Sequence, residues 1–109
     1  STNARNEEPA GTPLEQILAA IAGEVLQRER VGATGNLFEL GANSLSVIQL
    51  VSRLRDTLEV ELSLQSVFEN PTVKGLAKLI GEDTEQLKRA EEIAELFMKL
   101  KAKAEMSAA

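Results

Sequence analysis

Ser44 is the side chain most readily given a chemical role. It follows Gly41-Ala42-Asn43 and opens a run, Leu45 to Leu58, with apolar residues at helical spacing. A serine placed where a glycine-containing loop meets a helix start presents an exposed hydroxyl. The free backbone N–H groups of that helix end favour a neighbouring phosphate. Many serines at helix starts are caps and nothing more. The usual means of making a serine nucleophilic within its own chain are missing. The 109 residues contain no His and no Cys. A Ser-His-Asp triad, a catalytic cysteine and a His- or thiolate-based metal site are therefore excluded, and no catalytic or metal-ligating set is expected. A carboxylate or Lys mechanism stays open in principle, but nothing in the sequence points to one.

The elements that must position Ser44 follow from composition and pattern. The chain is long enough for one small domain. Hydrophobic residues make up 43% and aromatics only 3%, without Trp or Tyr, so the core must be aliphatic, which favours packed helices. Residues Ser1–Gly11 are polar and aperiodic, an expected disordered lead-in or expression remnant. Thr12-Pro13-Leu14-Glu15 has the form of a capping box with Pro at the first helical position, predicting a helix from Pro13 to about Arg28. Val31 to Asn43 is expected to be a loop, interrupted by Gly32, Gly35 and Gly41 and carrying apolar Leu37, Phe38 and Leu40. The helix Ser44–Leu58 follows, capped by Asn43 or Ser44. Ser63 can cap a short helix ended by Asn70-Pro71, and Thr72 a further one closed by Gly81. A last helix starts near Thr84 with Ala90, Ile93, Phe97, Leu100 and Ala104 at three- and four-residue spacing.

The net charge of −5 removes the basic footprint of a nucleic-acid binder and disfavours an anionic membrane surface. Cationic protein partners are favoured instead. No apolar run spans a bilayer and no signal-peptide pattern opens the chain, so a soluble, cytoplasmic location is expected.

The stretch Leu37-Phe38-Glu39-Leu40-Gly41-Ala42-Asn43-Ser44-Leu45 resembles the attachment motif of phosphopantetheine-dependent carrier (thiolation) domains, the acyl and peptidyl carrier proteins of polyketide and nonribosomal-peptide synthases. Arg53-Leu54-Arg55 resembles the Arg-Leu-Arg common on the helix after the serine, and Val67-Phe68-Glu69-Asn70-Pro71-Thr72-Val73 is similar to the segment joining the last two helices. The resemblance spans about Leu14 to Ile80. It implies an all-α, four-helix carrier bundle, here with an additional C-terminal helix. It further implies a carrier domain at 12–82 and a linker or docking helix at 83–109. An external phosphopantetheinyl transferase would move 4'-phosphopantetheine from coenzyme A onto Ser44, and the arm would hold acyl, aminoacyl or peptidyl intermediates as thioesters. Such a domain has no catalysis of its own and serves antibiotic or other secondary-metabolite biosynthesis. It visits loading, condensing and tailoring enzymes, and neither nucleic acid nor membrane is an expected partner.

In that family the residues around and just after the serine and on the third helix touch partner enzymes, which makes Asn43, Leu45, Val47 and Val67 candidate contacts. Ile48, Leu54 and Phe68 are expected in the core. Ala42-Asn43 stands where peptidyl carriers often have Gly-His or Gly-Asp and acyl carriers have Asp. A charge contact to the transferase is thereby lost, and the peptidyl or acyl assignment is blurred. Arg53-Leu54-Arg55 and the Phe68–Thr72 segment lean to the peptidyl or hybrid type.

Beyond the resemblance, residues 84–109 carry five acidic and five basic side chains, so the whole −5 lies on residues 1–83. The seam Ile93, Phe97 and Leu100 fits either a solvated interdomain linker or a surface that forms a homodimer or receives a docking partner. A competing function is a helical docking or dimerisation module in which Ser44 is only a helix cap.

Overall fold

Thr12 opens the first helix as the sequence predicts. Its Oγ1 accepts from the Glu15 N–H at 3.0 Å, while the Glu15 carboxylate accepts from the N–H groups of Gly11 and Thr12. In the computed structural model, which describes residues 10–108, five helices follow in order: α1 Pro13–Leu26, α2 Ser44–Leu58, α3 Leu64–Glu69, α4 Val73–Ile80 and α5 Thr84–Ala108. No strand occurs among the described residues. The lead-in expected over 1–11 lies, for residues 1–9, outside the described residues.

α1 stops two residues short of the expected Arg28. Gln27 takes a left-handed conformation at φ 56°, and its N–H returns to the Glu24 and Gly23 carbonyls. Gly23 is needed for this turn. The Arg28 N–H donates to its carbonyl at 2.8 Å, and a Cβ there would sit 2.9 Å from the Arg28 oxygen.

The core is aliphatic throughout. Leu14, Leu18 and Ile21 of α1 meet Val47, Leu50, Leu54 and Leu58 of α2, together with Val67 of α3 and Val73, Leu76 and Ile80 of α4. No polar or charged side chain is buried among the described residues. Burial of these side chains is the main source of stability, each contributing about 1.5–3 kcal/mol.

α5 packs its first half on α1 and α2, with Ala90 and Ala94 fully buried. Small side chains at these two positions let the helix approach closely. Asp83 caps the helix, accepting from the Glu85 and Gln86 N–H groups at 3.1 Å. The Gln86 side-chain oxygen accepts from the Glu61 N–H at 2.8 Å, fastening α5 to the α2–α3 connection. Beyond Ala94 the helix runs on with Leu96, Phe97 and Leu100 exposed. The heptad seam is thus divided: Ala90 lies in the core, Ile93 is half-buried, and Phe97, Leu100 and Ala104 face outward.

Candidate functional site

The loop from Gln27 to Asn43 delivers the chain to the start of α2, and it is pinned along its length. Val31, Ala33 and Leu37 are buried. The Leu37 N–H donates to the Pro71 carbonyl at 2.8 Å, and the Lys74 N–H to the Ala33 carbonyl at 2.8 Å, tying the loop to the α3–α4 junction. The Arg28 Nε donates to the Leu40 carbonyl at 2.9 Å. The Phe38 ring stacks on Phe68 of α3, centroids 5.2 Å apart and planes 8° from parallel. Gly41 then adopts φ +114°, a conformation that side-chain-bearing residues rarely take, and turns the chain into Asn43.

Asn43 is the helix cap. Its extended backbone and side-chain oxygen receive the Ser46 N–H at 3.0 Å and the Ser46 hydroxyl at 3.3 Å. Ser44 is consequently the first residue inside α2, exposed, and its hydroxyl has no hydrogen-bond partner among the described residues. The choice between Asn43 and Ser44 as cap, open in the sequence, is settled by this geometry.

The surroundings suit an anion. The first turn of α2 holds no acidic residue, and Asn43 is neutral. The positive end of the helix dipole therefore faces Ser44 unopposed. Among the described residues no side chain is hydrogen-bonded to the Ser44 hydroxyl, and the helix start can receive a phosphate group.

The candidate contact residues separate. Asn43 and Leu45 are exposed as a contact surface requires, Leu45 by 63%. Val47 and Val67 are 2% and 0% exposed, so their side chains belong to the core and offer no surface. Ile48 and Phe68, expected in the core, are instead 50% and 45% exposed, while Leu54 is fully buried as expected. The apolar stripe of α2 is broad enough to have two edges. The helix turns its Val47-Leu50-Leu54-Leu58 side inward and leaves the Leu45-Ile48 side in water. On α3, only six residues long, Val67 takes the single inward position and Leu64 and Phe68 flank it outside. The pattern held one clue to Ile48: it sits one turn after Ser44, and Ser44 must be exposed to react.

Three comparisons bear on this geometry. Residues 15–80 match the family model described as "Phosphopantetheine attachment site". Among curated relatives, the chain is similar to a linear gramicidin synthase of Brevibacillus parabrevis, 48% identical over 77 residues, covering 71% of this chain and 2% of that protein. It is also similar to a dimodular nonribosomal peptide synthase of Bacillus subtilis, 47% identical over 75 residues, covering 69% of this chain and 3% of the relative. The chain therefore spans only a small fraction of the relatives it matches. Among solved structures, it resembles the peptidyl carrier protein complexed with the phosphopantetheine transferase Sfp and coenzyme A, with TM-score 0.65 and 28% identity, covering 71% of this chain and 99% of that one. It also resembles the non-covalent extended docking-domain complex of the Pax synthetase, with TM-score 0.67 and 30% identity, covering 85% of this chain and 89% of that one.

Proposed function

We propose that Ser44 is the attachment point of the arm, on the premise that this chain belongs to the phosphopantetheine-attachment family and is a carrier domain. The observation that carries the assignment is the exposed Ser44 hydroxyl, spared from capping by Asn43. The competing reading, in which Ser44 is only a cap, loses its basis for the same reason.

When bound, the group supplies a terminal thiol that holds a carboxylic acid as a thioester. In the attachment step the Ser44 Oγ attacks the coenzyme A phosphorus nearer the pantetheine. A new O–P bond forms, the diphosphate P–O bond breaks, adenosine 3',5'-bisphosphate leaves, and the Ser44 proton goes to a base of the transferase. Asn43 holds the helix start in shape during this step, and the free N–H groups of the first turn favour the phosphodiester. The domain performs no chemistry of its own.

The carrier unit is 12–82, with 83–109 a following helix that links or docks. The charge of residues 1–83 suits a cationic face on the transferase. Leu45, with Ile48 beside it, offers apolar contact to the loading, condensing and tailoring enzymes of a nonribosomal-peptide assembly line, the kind of protein in which the relatives reside. The cargo is then an aminoacyl or peptidyl group, or an acyl group in a hybrid line. A second reading concerns α5: its exposed Leu96, Phe97 and Leu100, and the likeness to a docking-domain complex over most of the chain, favour a docking role for its distal half.

The test is intact-mass measurement after incubation with coenzyme A and a broad-specificity phosphopantetheinyl transferase. Wild type should gain one phosphopantetheine and Ser44→Ala none. A Ser44→Ala chain that still gains the mass would sink the assignment.

A further inference from the structure

Between the end of α1 and the first half of α2 lies an open groove of about 520 Å³. Ser44, Ile48 and Ser52 stand four residues apart on one face of α2, so the groove begins about 6 Å along the helix from Ser44 and reaches Ser52 at about 12 Å. Its walls are of two kinds. Val25 of α1 and Ile48 of α2 are apolar. Gln27, Gln49 and Ser52 are polar and uncharged, and their side chains have no hydrogen-bond partner among the described residues. The far end is closed by the ion pair of Arg53 and Glu24, 2.6 Å apart.

A phosphopantetheine arm carries the same two kinds of group. Next to the phosphate come a hydroxyl and a geminal dimethyl group, then two amides, then the thiol. We infer that this groove is the resting berth of the arm, with the dimethyl group against Ile48 and Val25 and the amides paired with Gln27, Gln49 and Ser52. The inference rests on the reading of Ser44 as the attachment point. An amide that trades water for a glutamine side chain gains little net free energy, so the berth is weak and the arm leaves it readily. That is what a carrier requires: a thiol partly shielded between visits and released by any partner that covers Leu45 and Ile48.

Two neighbouring depressions do not serve. The crevice lined by Ala42, Ser46, Val47 and Val67 measures about 10 Å³, room for one water molecule at most. The larger hollow beside Leu40 is bordered by Arg28, Glu29 and Arg30 and includes no residue of α2.

The experiment begins with the ¹⁵N-labelled chain, converted with coenzyme A and transferase and checked by intact mass. Amide spectra before and after conversion should then show shifts at Val25, at Ser52 and at the side-chain amides of Gln27 and Gln49. Two variants perturb the berth: Ser52→Phe fills it, and Gln49→Ala removes one amide from an exposed position. In the converted Ser52→Phe chain the Val25 and Gln27 shifts should vanish. Its thiol should react with neutral iodoacetamide about threefold faster than wild type, as expected for a berth occupied roughly two-thirds of the time. Gln49→Ala should give a smaller change in the same direction. Full mass gain with shifts confined to the residues adjoining Ser44, or thiol rates equal in all three chains, overturns the berth while leaving the attachment site intact. No mass gain at all overturns the attachment reading itself, and the berth with it.

Discussion

Asn43 and Ser44 are adjacent, both polar and both exposed, yet they do different work, and substitution should separate them. Asn43→Ala removes the cap of α2 and should lower stability by about 1 kcal/mol, read from the chemical denaturation midpoint. Ser44→Ala should change stability by less than about 0.5 kcal/mol, since it removes no hydrogen bond. A Ser44→Ala chain as destabilised as Asn43→Ala would return the cap to Ser44. A second pair of residues makes the same point in the core. Leu54→Ala, at a fully buried position, should cost about 2–5 kcal/mol. Phe68→Ala should cost less, on the order of 1–2 kcal/mol, because the ring is already half in water and chiefly loses its stack on Phe38. Equal losses in the two variants would show that the Phe68 ring is core. The sequence alone could not rank these two, because hydrophobicity is the same signal for a buried ring and for one stacked at the surface.

Among the elements, α5 divides into two parts of unlike stability. From Leu87 to Ala94 it shares the core; from Leu96 onward the described side chains are exposed apart from the half-buried Met98. A helical segment without packing is marginal in water, so hydrogen exchange should protect Leu87–Ala94 and leave the amides beyond Leu96 open. Uniform protection along α5 would mean that a partner or a second copy already covers it. Truncation follows the same division. A chain ending at Glu95 should melt close to the full chain, whereas one ending at Gly81 uncovers the core beneath Ala90 and Ala94 and should melt about 5–10 °C lower. Light scattering on wild type and Phe97→Glu completes the test: a dimer present only in wild type would make the occupant of this face a second copy. The spacing of the seam was legible in the sequence, but its division was not. Ala90 and Ala94 are weak hydrophobic signals, and what buries them is the closeness that small side chains permit.

For the molecule as a whole, helix starts were the most legible feature. Thr12, Ser63 and Thr72 each cap where their types and spacing imply, because capping is a local interaction between residues three apart. The placement of Ser44 was readable for the same reason. Which side of α2 and α3 meets solvent was not, since that depends on contacts from Leu37 to Pro71 and from Ala33 to Lys74 across long stretches of chain. Charge is also a property of the whole, and the −5 lies on residues 1–83. Conversion by the transferase should therefore slow as salt rises beyond about 0.1 M, where the Debye length falls under about 10 Å. The effect should appear in KM while kcat stays constant. A rate indifferent to salt would mean that apolar contact at Leu45 and Ile48 governs the encounter.

The 25-residue α5 also has a mechanical meaning. Past Ala94 it extends for 14 residues, about 21 Å at 1.5 Å per residue, from a root held by two buried alanines and the Gln86 clamp. A coil of equal length would act as a slack tether, indifferent to direction. Held helical by a partner on its exposed face, this segment acts as a boom: it fixes the bearing from Ser44 to whatever lies at its tip, and it transmits rotation. Lengthening it by one residue would turn the far end by about 100° while moving it only about 1.5 Å. Short insertions near Lys101 would thus change phase far more than reach, while one of about seven residues would bring the heading back to within about 20°.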